Sequence, residues 1–260
     1  MRALLAAIHC EKGEVEKNLA THLRILTEAT AASCDLVLFP EMSLSGSVDL
    51  PAHPERLLSI DHPATIELAQ ATGQTGVAAC FGIGELAPYG KRHITQIFAA
   101  DGQLIGVQRK RHLGDGEEAY DPATGNAIFE RSGARFGVAI CAESGYDAPF
   151  DAAAEAGARL MLFPAAPGLY GPRRTDDASW RTGFSWWEES SLGDARKHAI
   201  RHGLWIATAG QAGATIDEDF PGLAALVNPD GEVIQRMPDW REGTLIVDIP
   251  LKAVPAELAS

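Results

Sequence analysis

The sequence predicts an α/β fold built on mixed β-sheet, and three observations point to it. Short apolar runs without alternation, such as Asp35-Leu36-Val37-Leu38-Phe39, read as strands buried on both faces. Between them lie segments whose apolar residues recur at helical spacing. A helix, short turn, buried strand and proline over 28–40 are echoed over 155–164, which suggests two similar layers packed face to face.

Taken in order, Met1–Cys10 reads as the first strand. Its apolar run is short for a secretory leader, and Glu11-Lys12 follows without a small-residue cleavage site. A helix from Gly13 to about Ala32 carries Leu19, Leu23, Leu26 and Ala29 on one face, and Pro40 ends the strand that follows. A second helix over Pro63–Thr72 precedes strands near Val77–Gly84, His93–Ala99 and Leu104–Lys110, with Asp101-Gly102 marking a hairpin. The stretch His112–Thr124, rich in Gly, Glu and Asp, reads as a surface loop. Strands at Ala127–Glu130 and Arg135–Cys141, a helix at Ala148–Ala156 and a strand at Leu160–Phe163 come next. Ala165–Ser191 shows no clear periodicity and reads as a long functional loop carrying Trp180, Trp186 and Trp187. A helix over Asp194–His202, a strand at Leu204–Ala209 and a hairpin around Asn228-Pro229-Asp230-Gly231 complete the reading. The whole chain, 1–260, fits one domain.

Composition narrows the function classes. A net charge of −13 with no dense Lys/Arg cluster argues against a nucleic-acid partner. No apolar stretch approaches the ~18 residues needed to cross a bilayer, so no membrane partner is expected and the cytoplasm is the default compartment. Four scattered cysteines form neither a zinc motif nor a disulfide framework; Cys10, Cys34 and Cys80 read as small buried hydrophobes. Gly82-Ile83-Gly84 is too short for a dinucleotide fingerprint, and no cofactor is expected.

Three separated polar residues each close an apolar run: Glu41 in Leu36-Val37-Leu38-Phe39-Pro40-Glu41, Lys110 in Val107-Gln108-Arg109-Lys110, and Cys141 in Phe136-Gly137-Val138-Ala139-Ile140-Cys141. Carboxyl ends of strands are where α/β proteins gather binding and catalytic groups. A carboxylate, an ammonium and a thiol together supply a base, a cation and a nucleophile, enough to cleave an unactivated amide or nitrile. Alone, each has a plainer reading: a core cysteine, a loop acid, a solvated basic edge.

Phe39-Pro40-Glu41, Lys110-Arg111-His112-Leu113 and Cys141-Ala142-Glu143, in this order and spacing, resemble the nitrilase superfamily, the carbon–nitrogen hydrolases with a Glu-Lys-Cys triad. The resemblance runs from the first strand to about Pro250. It implies a four-layer α-β-β-α sandwich, a covalent thioester or thioimidate on Cys141, Glu41 as base, and Lys110 with the Ala142 N–H stabilising the oxyanion. It also implies a homodimer or larger homo-oligomer. A second family glutamate falls at Glu117, favoured over Glu118 by its spacing to Tyr120. Glu143 is expected to orient the nucleophile's turn by pairing with a backbone or basic group, and His112 to brace the loop after Lys110.

The chain departs from the family pattern at three places. Residues 144–151 lack the usual aromatic-Pro-Glu stretch, Ala-x-Glu-Asn becomes Ala199-Ile200-Arg201-His202, and Asn-Gln-x-Gly becomes Gly210-Gln211-Ala212-Gly213. Trp180, Arg181, Trp186 and Trp187, with Ala142, form the expected substrate wall, Arg181 suiting a carboxylate. The expected activity is hydrolysis of a small-molecule amide or N-carbamoyl amine. The alternatives are nitrile hydrolysis by the same triad, a Cys-His arrangement drawing on the eight histidines, or a non-catalytic scaffold.

Overall fold

A computed structural model of the chain describes residues 1–251; the end of the expected 1–260 domain, 252–260, lies outside the described residues. The first half runs β1 (Arg2–Ala7), α1 (Val15–Ala31), β2 (Leu36–Leu38), α2 (Pro63–Thr75), β3 (Ala78–Leu86), β4 (Arg92–Ala100) and β5 (Gln103–Arg109). The second runs β6 (Phe129–Arg131), β7 (Ala134–Val138), α3 (Ala148–Glu155), β8 (Leu160–Ala165), α4 (Asp177–His202), β9 (Trp205–Gly210), β10 (Ala212–Ala214), β11 (Asp219–Pro221), β12 (Ala224–Val227), β13 (Val233–Arg236) and β14 (Gly243–Asp248).

Two six-stranded sheets result, ordered β14-β1-β2-β3-β4-β5 and β13-β12-β9-β8-β7-β6. Read from opposite ends, they share one pattern of pairings. β5, β4, β3, β2, β1 and β14 correspond to β13, β12, β9, β8, β7 and β6, parallel at the third and fourth of the five junctions and antiparallel at the others. The Phe-Pro echo is therefore architectural: α1 leads into β2 as α3 leads into β8.

The buried apolar residues divide into three sets that define four layers. Leu5, Leu38 and Phe98 of one sheet meet Phe136, Leu162 and Leu226 of the other between the two sheets. On the outer face of the first sheet, Ile25, Leu26 and Leu68 of the helices cover Val37 and Phe81. On the outer face of the second, Phe150, Phe184 and Trp187 cover Met161 and Phe163. This is the expected α-β-β-α sandwich. Cys10, Cys34 and Cys80 are buried within it.

Of the stretch read as a long loop, 166–176 is irregular as expected, but 177–191 belongs to the helix α4. α4 begins at Asp177, where the Asp176 side chain accepts the Ser179 N–H at 2.8 Å, and it ends at left-handed Gly203. Its buried residues Phe184, Trp187, Ser191, Leu192, Ala195, His198 and Ala199 recur at spacings of one, three and four. The pattern was hidden because small and polar residues sit on the buried face while Trp186 faces outward. Thr182, Ser185 and Gly193 are also weak helix formers. The final strand β14, antiparallel to β1, also went unread, because its apolar core is only Leu245-Ile246-Val247.

Candidate active site

Glu41 follows β2, Lys110 follows β5 and Cys141 lies just beyond β7, so strand ends of both sheets meet at one point. Lys110 is wholly buried, and its Nζ donates to Glu41 Oε1 at 2.8 Å and to Glu117 Oε1 at 2.6 Å. The second oxygen of Glu41 accepts the Ala166 N–H at 3.0 Å, just past β8, and that of Glu117 accepts the Gly114 N–H at 2.6 Å. Both carboxylates are thus fixed at each oxygen. An ammonium has three donors; two are committed to glutamates and one remains for a ligand.

The local backbone is built for these positions. Met42, directly after Glu41, and Cys141 both have left-handed backbone, at φ 47° and 46°. Such strain in non-glycine residues persists where surrounding contacts over-determine it. Here β3 passes beneath the Glu41 turn at Gly82, where a Cβ would stand 2.2 Å from the Met42 backbone nitrogen. Ser43 accepts the Gly82 N–H at 3.2 Å and bonds His22 Nε2 at 2.9 Å, while His22 Nδ1 meets the Asn18 carbonyl at 2.7 Å. Burial pulls the His22 pKa down to about 4, so the imidazole bracing the turn is neutral.

The three basic residues in sequence each grip a buried carboxylate. Arg109 forks onto Glu85 with two 2.7 Å bonds, Lys110 holds Glu41 and Glu117, and Arg111 forks onto Glu143 at 2.8 and 2.6 Å. Glu143 also accepts the N–H groups of Ile140 at 2.8 Å and Arg111 at 2.7 Å, which ties the segment after β5 to the nucleophile's turn. The expected pairing of Glu143 is met by Arg111. His112 stacks on Tyr146, centroids 3.9 Å apart.

Cys141 and Glu117 open onto a cavity of about 770 Å³, with Tyr120, Ala142, Trp186 and Trp187 in its wall. The rim is acidic: Asp49, Asp115, Asp194, Asp217 and Glu218 line it, against Lys12, which is paired at 2.9 Å with Asp217 and 2.8 Å with Glu218. Ala142 lies in the first turn of the short helix Cys141–Gly145, where N–H groups have no intrahelical acceptor.

Electrostatics keep the resting thiol protonated. Burial pushes Cys141 well above the ordinary cysteine range and Glu41 and Glu117 push it further, against Lys110. Burial also raises Glu41, with Lys110 pulling it back and Glu117 adding to the rise. Burial alone would lower Lys110, but Glu41, Cys141 and Glu117 together outweigh it and hold the amine charged. A proton can pass between Cys141 and Glu41 as a bond forms, without a free thiolate in the resting site.

The structure brings together Glu41, Lys110, Cys141, Glu117 and Ala142, with Trp186 and Trp187 in the same wall. Glu118 is exposed and accepts the Gly116 N–H. Trp180 and Arg181 are not part of the cavity. Trp180 packs on the helix side of the second sheet, and the Arg181 guanidinium lies 5.1 Å over the Trp240 ring. Arg181 therefore does not bind a substrate carboxylate in this cavity: six residues before Trp187, it stands about 120° around the helix, on another face. No histidine lines the cavity among the described residues, so the Cys-His arrangement has no support. The Ala166 and Gly114 donors and the acidic rim were missed. Ala166 was accessible in principle, since Phe163-Pro164-Ala165-Ala166 repeats Phe39-Pro40-Glu41-Met42 on the facing sheet.

A family model described as carbon-nitrogen hydrolase matches residues 4–256. The chain is 24% identical to an N-carbamoylputrescine amidase of Solanum tuberosum, over 94% of this chain and 84% of that protein. It is 25% identical to an omega-amidase of Bos taurus, over 95% of this chain and 88% of that one. Its fold matches an amidase from Nesterenkonia sp. with a TM-score of 0.81 at 23% identity, over 96% of this chain and 90% of that chain.

Proposed function

Since the chain belongs to the carbon–nitrogen hydrolase family, we propose that it cleaves small amides or N-carbamoyl amines through Cys141, with Glu41 as proton carrier. The observation that carries this reading is the buried Lys110 ammonium held between Glu41 and Glu117, the latter opening with Cys141 onto the cavity. In the proposed first step Cys141 Sγ attacks the carbonyl carbon while its proton passes to Glu41. The developing oxyanion is met by the third Lys110 donor and the Ala142 N–H. Collapse breaks the C–N bond, and the leaving nitrogen takes the proton from Glu41. Water then attacks the thioester, giving its proton to Glu41, and the thiol returns. Glu117 fixes Lys110 throughout and faces the substrate nitrogen.

The acidic rim supports a substrate with a cationic end. Asp49, Asp115 and Asp194 have no basic partner among the described residues, and the aromatic wall of Trp186 and Trp187 suits a short aliphatic spacer. An N-carbamoyl amine bearing an ammonium meets both features, and the name of the Solanum tuberosum relative agrees with it. For the compartment, four free cysteines fit the reducing cytoplasm. No helix among the described residues is long and apolar enough to cross a membrane. A homodimer is the proposed assembly, on the family resemblance, and light scattering tests it.

Ammonia release by wild type and Cys141→Ala from cationic carbamoyl amines, neutral amides and nitriles tests the reading. Turnover of the cationic carbamoyl amine that the variant loses is the expected result. Release surviving in Cys141→Ala, or turnover confined to nitriles, overturns it.

A further inference from the structure

On the outer face of the second sheet, away from the cavity, Asp147, His198 and His202 converge, their ligand-capable atoms all within 4.8 Å of one another. His198 and His202 are four residues apart on α4, so their rings share one face a turn apart. Asp147 stands at the start of α3. Three buried polar atoms here have no hydrogen-bond partner: Asp147 Oδ1, His198 Nδ1 and His202 Nε2. Unpaired buried acceptors are costly, and the two imidazole nitrogens, aimed at a carboxylate oxygen that has only the Lys197 ammonium at 3.4 Å, call for a common partner.

The remaining atoms of the same residues are already committed. His198, 0% exposed, donates Nε2–H to the Ser144 carbonyl at 2.7 Å, which fixes the tautomer and leaves a lone pair on Nδ1. His202 Nδ1 faces Asp151 Oδ1 at 3.5 Å, leaving Nε2 as the acceptor. A carbonyl or carboxylate behind the far nitrogen is the usual outer support of a metal-binding imidazole. Asp147 Oδ2 accepts Arg201 at 2.6 Å, which leaves Oδ1 turned toward the rings, 3.7 Å from His198 Nδ1. Around an ion with bonds of ~2.0–2.1 Å, tetrahedral donors stand ~3.3 Å apart, so modest side-chain rotation closes the set.

We propose that Asp147, His198 and His202 bind one divalent transition-metal ion, zinc fitting two imidazoles and one carboxylate best, with water at the fourth position. Lys197 Nζ lies 3.4 Å from Asp147 Oδ1 and must swing out; its side chain is half-exposed and flexible. Arg201 stays on the other oxygen and offsets part of the carboxylate's charge. The ion joins α3 to α4 and, through His198 and the Ser144 carbonyl, braces the turn that carries Cys141. It takes no part in the reaction. His202 and Arg201 are two of the residues at which the chain departs from the family pattern, which gives those departures a physical use.

The test uses full-length protein stripped with chelator and dialysed. Zinc is titrated by calorimetry, and cobalt(II) is followed by its visible absorption. The expected results are one ion per chain, a four-coordinate cobalt spectrum, and binding weakened at least ~100-fold in His202→Ala, beyond what losing an outer support costs. His202→Asn is a second variant with a milder change of shape, and zinc is expected to raise the melting temperature of wild type but not of either variant. No stoichiometric binding, a six-coordinate cobalt spectrum, or equal binding by wild type and both variants overturns the proposal. Because the readout is metal binding, its failure is separate from any failure of the hydrolase mechanism.

Discussion

Arg111 holds Glu143 through two parallel bonds of 2.8 and 2.6 Å, and the carboxylate it holds is completely buried. One partner follows Lys110 directly and the other stands two residues past Cys141, so this fork sets the distance between cation and nucleophile. Removing Arg111 leaves an uncompensated buried charge, whose cost is ~3–5 kcal/mol. Arg111→Ala is therefore expected to lower the urea midpoint sharply. Arg111→Lys restores charge without the fork and is expected to regain part of the stability while kcat stays at least ~10-fold down. Equal kcat in Arg111→Lys and wild type would separate the fork from the reaction.

The raised Glu41 carboxyl gives a signed pH prediction. As the proton acceptor it must be ionised, so kcat/KM rises with pH along a limb displaced above the ~4.3 of an ordinary glutamate. Burial sets most of that rise and Glu117 adds to it, so Glu117→Gln moves the limb toward lower pH. The linkage runs the other way. A carboxyl raised on folding stabilises the fold fully below ~4.3, and this contribution is lost as pH rises through the raised value. The stability of wild type relative to Glu41→Gln should fall across that window.

The same neighbours govern labelling of Cys141. Burial and then Glu41 hold the thiol up, so Glu41→Gln should shift the alkylation profile to lower pH. Neutral iodoacetamide should outpace anionic iodoacetate in wild type by more than it does with free cysteine, because Glu41 and Glu117 outnumber Lys110 at the site. Faster labelling by iodoacetate would contradict this charge balance.

Gly82 offers a test of backbone geometry. A methyl there meets the Met42 nitrogen at 2.2 Å and Gln96 Oε1 at 2.8 Å, so the Glu41 turn must move. A shift of about 1 Å at a reacting group costs ~100-fold in rate. Gly82→Ala should therefore lose kcat by about that factor while retaining its far-ultraviolet circular dichroism. A variant with wild-type kcat would show that the turn tolerates displacement.

What the sequence could and could not disclose follows from how each feature is encoded. β2 and β8 were legible because strands covered on both faces are uninterrupted apolar runs, and the proline after each ends it. Glu41 and Cys141 stand just past such runs, whereas Lys110 follows the mixed, partly exposed strand Gln103–Arg109 and was singled out by the family-like segment Lys110-Arg111-His112-Leu113. α4 was not, because a helix bearing Trp186 outward and Ser191 inward has no clean apolar stripe. Arg181 was misassigned for the same reason: without the helix, its face could not be known. The Asp147–His198–His202 cluster joins two elements separated by β8, and no spacing rule spans that gap.

Substrate charge is the remaining question that one residue can answer. Asp194 lines the cavity from α4, and its Oδ2 accepts the Ser144 hydroxyl at 2.8 Å, which fixes the carboxylate in place. Asp194→Asn keeps an acceptor for Ser144 and removes the charge. A hydrogen bond to a charged group contributes ~1.5–3 kcal/mol, and each 1.4 kcal/mol is about tenfold in affinity. KM for an ammonium-bearing carbamoyl amine should rise at least ~10-fold with kcat nearly unchanged, while KM for a neutral amide of equal length barely moves. Wild-type KM for the cationic substrate should also climb with added salt, because an exposed rim charge is screened. A parallel rise for both substrates would mean that Asp194 shapes the pocket and does not read charge.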